Sequence, residues 1–158
     1  MADLAAKTTW KTAGIPKEKG SGIIADGVTV YEGMFCAQSE SGYVNHWADG
    51  ATDVWGGLLV GGDDRANDGV LLGETSDTPP PRARFQSGFI MVGMSGVAGQ
   101  TTLTQANVGN LVYCPTSDPA DMTTVGSGNT NPIGRIDAFR STTDIDVYIF
   151  TPEEVRSQ

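Results

Sequence analysis

The sequence predicts an all-β fold, a barrel or sandwich of short strands, and three observations carry that expectation. The composition is 39% hydrophobic and 18% charged with 21 Gly and 8 Pro, too apolar for disorder and too rich in turn formers for a helical bundle. From Val28 to Phe150, short β-favouring runs alternate with turn clusters. Two stretches also alternate with a period of two, so each strand is expected to keep one wet face. In one, Ala83, Phe85, Phe89 and Met91 oppose Arg82, Arg84 and Gln86; in the other, Ile145, Val147 and Ile149 oppose Asp144, Asp146 and Tyr148. At 158 residues the chain suits one domain with one core, without help from disulfides or metals.

Residues 1–22 show no sustained period and contain Gly14, Pro16 and Gly20, so they are expected to form an extended N-terminal arm outside the core. The β-body is expected over 23–151, with strands near 28–31, 34–38, 43–47, 54–60, 70–72, 83–92, 111–114, 133–139 and 145–150. A further short strand is placed within 122–125. One short helical turn is expected at 104–109, with Thr104 as N-cap and Gly109 as the stop. Two polar loops, 61–69 and 74–78, interrupt the body. The second runs into Pro79-Pro80-Pro81, which cannot donate ladder hydrogen bonds and should lead into a surface edge. Residues 152–158 read as a C-terminal tail.

The net charge of −9 argues against nucleic-acid binding, which needs clustered Lys and Arg. The charge is unevenly spread. Lys7, Lys11, Lys17 and Lys19 stand against only Asp3 and Glu18 in the first twenty residues, which leaves that segment +2 and the remainder −11. No apolar run approaches the roughly 18 to 20 residues of a bilayer span, and the opening MADLAAKTTWK lacks the order of a signal peptide. No membrane is expected, and a cytoplasmic site of synthesis is. Cys36 and Cys114 each close an apolar stretch and are expected as buried small hydrophobes in a reducing compartment.

Several motifs follow one another in a recognisable order: Val28-Thr29-Val30-Tyr31-Glu32-Gly33-Met34; Gly57-Leu58-Leu59-Val60 before an Asp/Gly loop; Ser87-Gly88-Phe89-Ile90; Leu103-Thr104-Gln105-Ala106-Asn107-Val108-Gly109-Asn110-Leu111-Val112-Tyr113; and Pro132-Ile133-Gly134-Arg135-Ile136 before a closing strand. In this order, over about residues 23 to 150, the chain resembles the bacteriophage capsid decoration (head-stabilising, cement) proteins. The stretch around Thr104 to Tyr113 is the most specific part. The resemblance implies a small β-barrel or β-tulip-like body and a homotrimer on the outer surface of the virion capsid, at its local three-fold positions. It also implies terminal arms that reach the major capsid protein, and assembly in the host cytoplasm. The linker through Pro79 to Pro81 and the lysine-rich arm depart from the family pattern.

On this reading Lys7, Trp10, Lys11, Lys17 and Lys19 form a capsid-binding arm. Trp10, between two lysines, is its apolar anchor. Trp47 and Trp55 are candidates for the core or for a trimer interface. A rival reading gathers Trp10, Trp47, Trp55, Tyr31 and Tyr43 into a sugar-stacking platform, as in a glycan-binding surface module. Catalytic chemistry finds little support. His46 is the single histidine, and Gly93-Met94-Ser95-Gly96-Val97 lacks the last glycine of a nucleophile elbow. The loop from Asp63 to Asp68 fails the EF-hand spacing, because Ala66 stands where a ligand is needed. No zinc or Walker pattern occurs. The expectation is a protein that is not an enzyme and uses neither metal nor cofactor.

Overall fold

The computed structural model describes residues 3–63, 68–95, 103–124 and 131–158. Its strands are β1 (Thr12–Ala13), β2 (Glu18–Ile23), β3 (Thr29–Tyr31), β4 (Phe35–Gln38), β5 (Val44–His46), β6 (Val54–Gly62), β7 (Val70–Leu72), β8 (Arg82–Ser87), β9 (Phe89–Ser95), β10 (Leu111–Val112), β11 (Gly134–Phe139) and β12 (Asp144–Ile149). A C-terminal helix, α1 (Pro152–Arg156), closes the chain. The fold is all-β, as expected. Its strands form one antiparallel sheet in the order β1-β9-β12-β11-β10, a second in the order β2-β8-β6-β4-β5, and a β3-β7 ribbon. The barrel is not closed. The two edges of the second sheet meet at the parallel bridge of Ile24 with Val44, reinforced by Ala25 N–H donating to Val44 O at 3.0 Å.

The chain changes sheets at Gly88, between β8 and β9. Gly88 has φ +73°, a left-handed conformation in which a side chain would be strained. An added Cβ would also lie 2.6 Å from the Lys17 side chain. Its N–H donates to Ile149 O at 2.9 Å, so one backbone position ties the two sheets together.

The main core lies between the sheets. It joins Phe35, Ala37, Trp55 and Leu58 of the second sheet to Phe89, Met91, Ile136, Ile145, Val147 and Ile149 of the first. A second cluster, with Ile24, Val30, Cys36, Val44, Leu59, Leu71 and Phe85, fills the opposite face of the second sheet under the ribbon. Alternation along β4 produces this division, since Phe35 and Ala37 point one way and Cys36 the other. On β6, however, Trp55 and Leu58 reach the same cluster three residues apart. The register jumps there from Cys36 opposite Gly57 to Ala37 opposite Trp55, and the extra residue of this bulge turns Trp55 inward. Each large side chain fully removed from water contributes about 1.5 to 3 kcal/mol.

Three expectations need correction. Residues 1–22 are not an arm apart from the body, because β1 pairs with β9 and β2 pairs with β8 along its whole length. The outward face of β12 is not wet: Asp146 and Tyr148 are buried. Arg140 covers Asp146 through two side-chain bonds, while Lys17, Arg135 and Glu154 cover Tyr148. The tail is a helix, held by a reciprocal cap in which Glu154 N–H donates to Thr151 Oγ1 at 3.2 Å and Thr151 N–H to Glu154 Oε1 at 3.1 Å. The short helical turn expected at 104–109 is present as a 3-10 turn over Gln105–Asn107 with Thr104 as its N-cap, and the Asn107 side chain accepts from Thr104 N–H at 2.8 Å. Within 122–125, Thr123 bridges Tyr113, and Val125 lies outside the described residues.

Candidate interaction surface

The N-terminal segment is fastened at intervals along its length. Asp3 accepts from Ser117 N–H at 3.0 Å, and Leu4 N–H donates to Ser117 Oγ at 3.2 Å. Thr8 N–H donates to Glu32 O at 2.9 Å, Val92 N–H to Lys11 O at 2.8 Å, and Lys17 N–H to Gly88 O at 3.2 Å. Trp10, expected as an anchor for a partner, is instead half-buried against the protein's own main core. Its indole N–H donates to Gly33 O at 2.7 Å. Gly33 makes this approach feasible, because any Cβ there would collide with Thr8 O.

The lysines remain on the surface. Lys7 pairs with Glu32 at 3.8 Å, an exposed contact worth little. Lys11 is close enough to Asp146 for its charge to favour the ionised carboxylate. Lys17 lies 5.0 Å above the ring of Tyr148, with Arg135 4.3 Å from the same ring. The nearby Tyr148 hydroxyl, and after it the Glu154 carboxylate, raise the pKa of Lys17. Lys19 extends from edge strand β2. Between β1 and β2 the chain turns at Gly14, and Ile15 is 89% exposed at the tip. Sequence reading missed Ile15, although an apolar residue between Gly14 and Pro16 is a visible signal. Together these residues present an apolar tip and several cations on a fixed scaffold.

Trp47 and Trp55 are 1% and 2% exposed and so cannot form a trimer interface or a sugar-stacking platform. Their rings meet edge-to-face at 5.0 Å, and their indole N–H groups donate to Cys114 O at 2.8 Å and Phe150 O at 2.7 Å. Burial of both rings was within reach of sequence reading; the core was simply larger than the interface reading assumed.

His46 does not meet Ser95. Its Nε2 donates to Thr29 O at 2.8 Å, which leaves Nδ1 to accept from Ser117 Oγ at 2.7 Å. Ser117 is fully buried and also accepts from Leu4, so the pair fastens the N-terminal segment to the body. Ser95 ends β9, exposed, while Gly96 and Val97 lie outside the described residues. In the acidic loop, Asp63 Oδ2 accepts from Arg82 N–H at 3.1 Å and Asp68 Oδ1 from Val70 N–H at 3.0 Å. Asp64 to Asn67 lie outside the described residues. Among the described residues no group of three or more His, Cys, Asp or Glu is placed to hold a metal ion. Cys36 and Cys114 are free and buried, and burial raises both thiol pKa values.

Asp146 carries the best-defined charge relation of this face. Arg140 Nη2 donates to its Oδ2 at 3.1 Å, and Gly93 N–H donates to its Oδ1 at 2.9 Å. The hydrogen bond from Arg140 is the largest cause holding this carboxyl below the ordinary value, against a smaller opposing effect of burial. For Glu154 burial pushes upward most strongly, but donation from Thr151 and Tyr148 together leaves it net lowered. Tyr148, in turn, is raised chiefly by burial.

Compared with known protein families, curated proteins and solved structures, the chain matches none.

Proposed function

We propose that the protein is a non-enzymatic decoration protein that binds the exterior of a bacteriophage capsid as a homotrimer and stabilises the mature shell. The observation that supports this reading best is where the resemblance motifs fall in the fold. Val28 to Met34 spans β3 and the turn beneath Trp10, Gly57 to Val60 reaches the register shift of β6 against β8, and Ser87 to Ile90 contains the crossing between sheets. Leu103 to Tyr113 holds the 3-10 turn and β10, and Pro132 to Ile136 opens β11. The motifs thus coincide with the joints of the β-body.

The N-terminal segment contributes to attachment as a preformed surface, with Lys11, Lys17 and Lys19 set around the Ile15 tip. A preformed surface loses less conformational entropy on binding than a free arm does. Binding that favours the assembled shell stabilises it by mass action, and three subunits acting together raise the effective affinity. Co-sedimentation of the purified chain with mature, undecorated phage shells tests the reading. Pelleting with shells, saturating at a multiple of three copies, is the expected result; a chain that stays in the supernatant with every shell refutes it.

A further inference from the structure

We infer that the face of β2 and β8 carrying Lys19 and Arg84 holds a binding site for a carboxylate-bearing sugar unit, with these two residues as the groups that recognise the acid. The inference does not depend on the capsid reading.

Register places the site. β2 and β8 pair with Lys19 opposite Gln86, Ser21 opposite Arg84 and Ile23 opposite Arg82, so these six side chains share one face. The opposite face, where Gly20 meets Phe85, turns toward the second core cluster. On this face, which continues from Leu58 of the main core, Lys19, Ser21, Val60, Arg84 and Gln86 surround an open concavity of about 470 Å³, with Gly20 and Phe85 also in its lining. Gly61, opposite Arg84 in the neighbouring strand, leaves room for the guanidinium, since a Cβ there would come within 3.1 Å of Nη2.

The charge pattern is what calls for a ligand. In a protein of net charge −9, no carboxylate of the described residues lines this concavity. Among the described residues the side chains of Lys19 and Arg84 make neither a salt bridge nor a hydrogen bond. Glu18 lines the adjoining cleft, on the other face of β2. The acidic loop begins beside Arg82, whose N–H is accepted by Asp63 Oδ2 at 3.1 Å, and charges farther than about 8 Å are screened at physiological ionic strength.

The remaining lining selects a sugar over a bare anion. The planar fork of Arg84 matches a carboxylate in a two-point contact, and Lys19 adds a point charge. Ser21 and Gln86 offer hydroxyl and amide groups for sugar hydroxyls, while Val60 gives an apolar surface to the C–H face of a pyranose ring. A few convergent polar groups around an apolar floor is the usual make-up of a small-ligand site.

Amide NMR of the full chain, titrated with methyl glucuronide and with methyl glucoside, tests the inference, because the two probes differ only at the carboxylate. The expected result is an affinity of about 1 mM for the glucuronide, with shifts confined to residues 19–21, 60–61 and 84–86, and at least about tenfold weaker binding of the glucoside. Arg84→Ala should weaken glucuronide binding by about tenfold or more, and Arg84→Lys by less, since it keeps the charge and loses the fork. The spectrum of each variant reports its fold, and Lys19→Ala on the edge strand supplies an independent loss. The inference is overturned by equal response to both glycosides, by no response, or by acetate or an acidic peptide binding as tightly as the glucuronide. The last outcome would identify a general anion site or a protein-docking face.

Discussion

Trp10 and Gly33 meet through a 2.7 Å hydrogen bond from the indole N–H to the glycine carbonyl, and this contact decides that the N-terminal segment belongs to the body. It joins a residue that precedes β1 to the turn between β3 and β4, across 23 positions of sequence. Trp10→Ala removes that bond and a half-buried aromatic contact. The expected loss is about 2 to 4 kcal/mol in urea unfolding, and an unchanged midpoint would show that the segment does not dock.

Gly33 is the complementary test. Its φ of +94° strains any other residue, and a Cβ would displace Thr8. Gly33→Ala should cost about 2 kcal/mol or more. Hydrogen exchange should rise first at Thr8, whose N–H donates to Glu32 O, while the amides of β11 and β12 stay protected.

Trp47 separates core from interface. Trp47→Ala should destabilise the fold by about 3 to 5 kcal/mol. Trp47→Phe should leave the oligomeric state of the folded protein as it was, measured by sedimentation velocity. A change of assembly with stability intact would place Trp47 at a subunit contact.

Acid stability should depend on Asp146. Its folded-state pKa is lowered, chiefly by Arg140, so its contribution is present above the unfolded value of about 3.9 and is lost as pH falls through the folded value. Asp146→Asn should lower the melting temperature at pH 7 and flatten its decline as pH falls below about 4. A variant that keeps the wild-type slope would assign the acid transition to other carboxylates.

How much could be read in advance differs between the strands and their surroundings. The runs around Val54, Ala83, Ile133 and Ile145 were legible because β-favouring side chains recur there between turn residues, and the residues form β6, β8, β9, β11 and β12. The paired state of residues 12–13 and 18–23 was not, since Glu18-Lys19-Gly20-Ser21-Gly22 has no apolar face. Gly20 is instead covered by its cross-strand partner Phe85, a tertiary contact with no local signature. Asp146 and Tyr148 read as solvent-facing because alternation reports only two faces, and it does not reveal that Arg140 and α1 cover the second. The helix was legible and overlooked: Thr151-Pro152-Glu153-Glu154 carries both the capping box and a proline at the first helical position. Of the candidate site, the surface position of the lysines followed from their charge, but the cation pair of Lys19 and Arg84 depends on the register of β2 with β8, which becomes visible only when the sheet is assembled.

The central claim concerns where the protein sits. Its most direct measurement is an electron cryomicroscopy reconstruction of mature phage shells incubated with the full chain, compared with the same shells alone. The predicted result is added density on the outer surface at the three-fold positions, three copies to each, with the Ile15 tip and the flanking lysines facing the shell. Reconstructions that superimpose with no external density would contradict it.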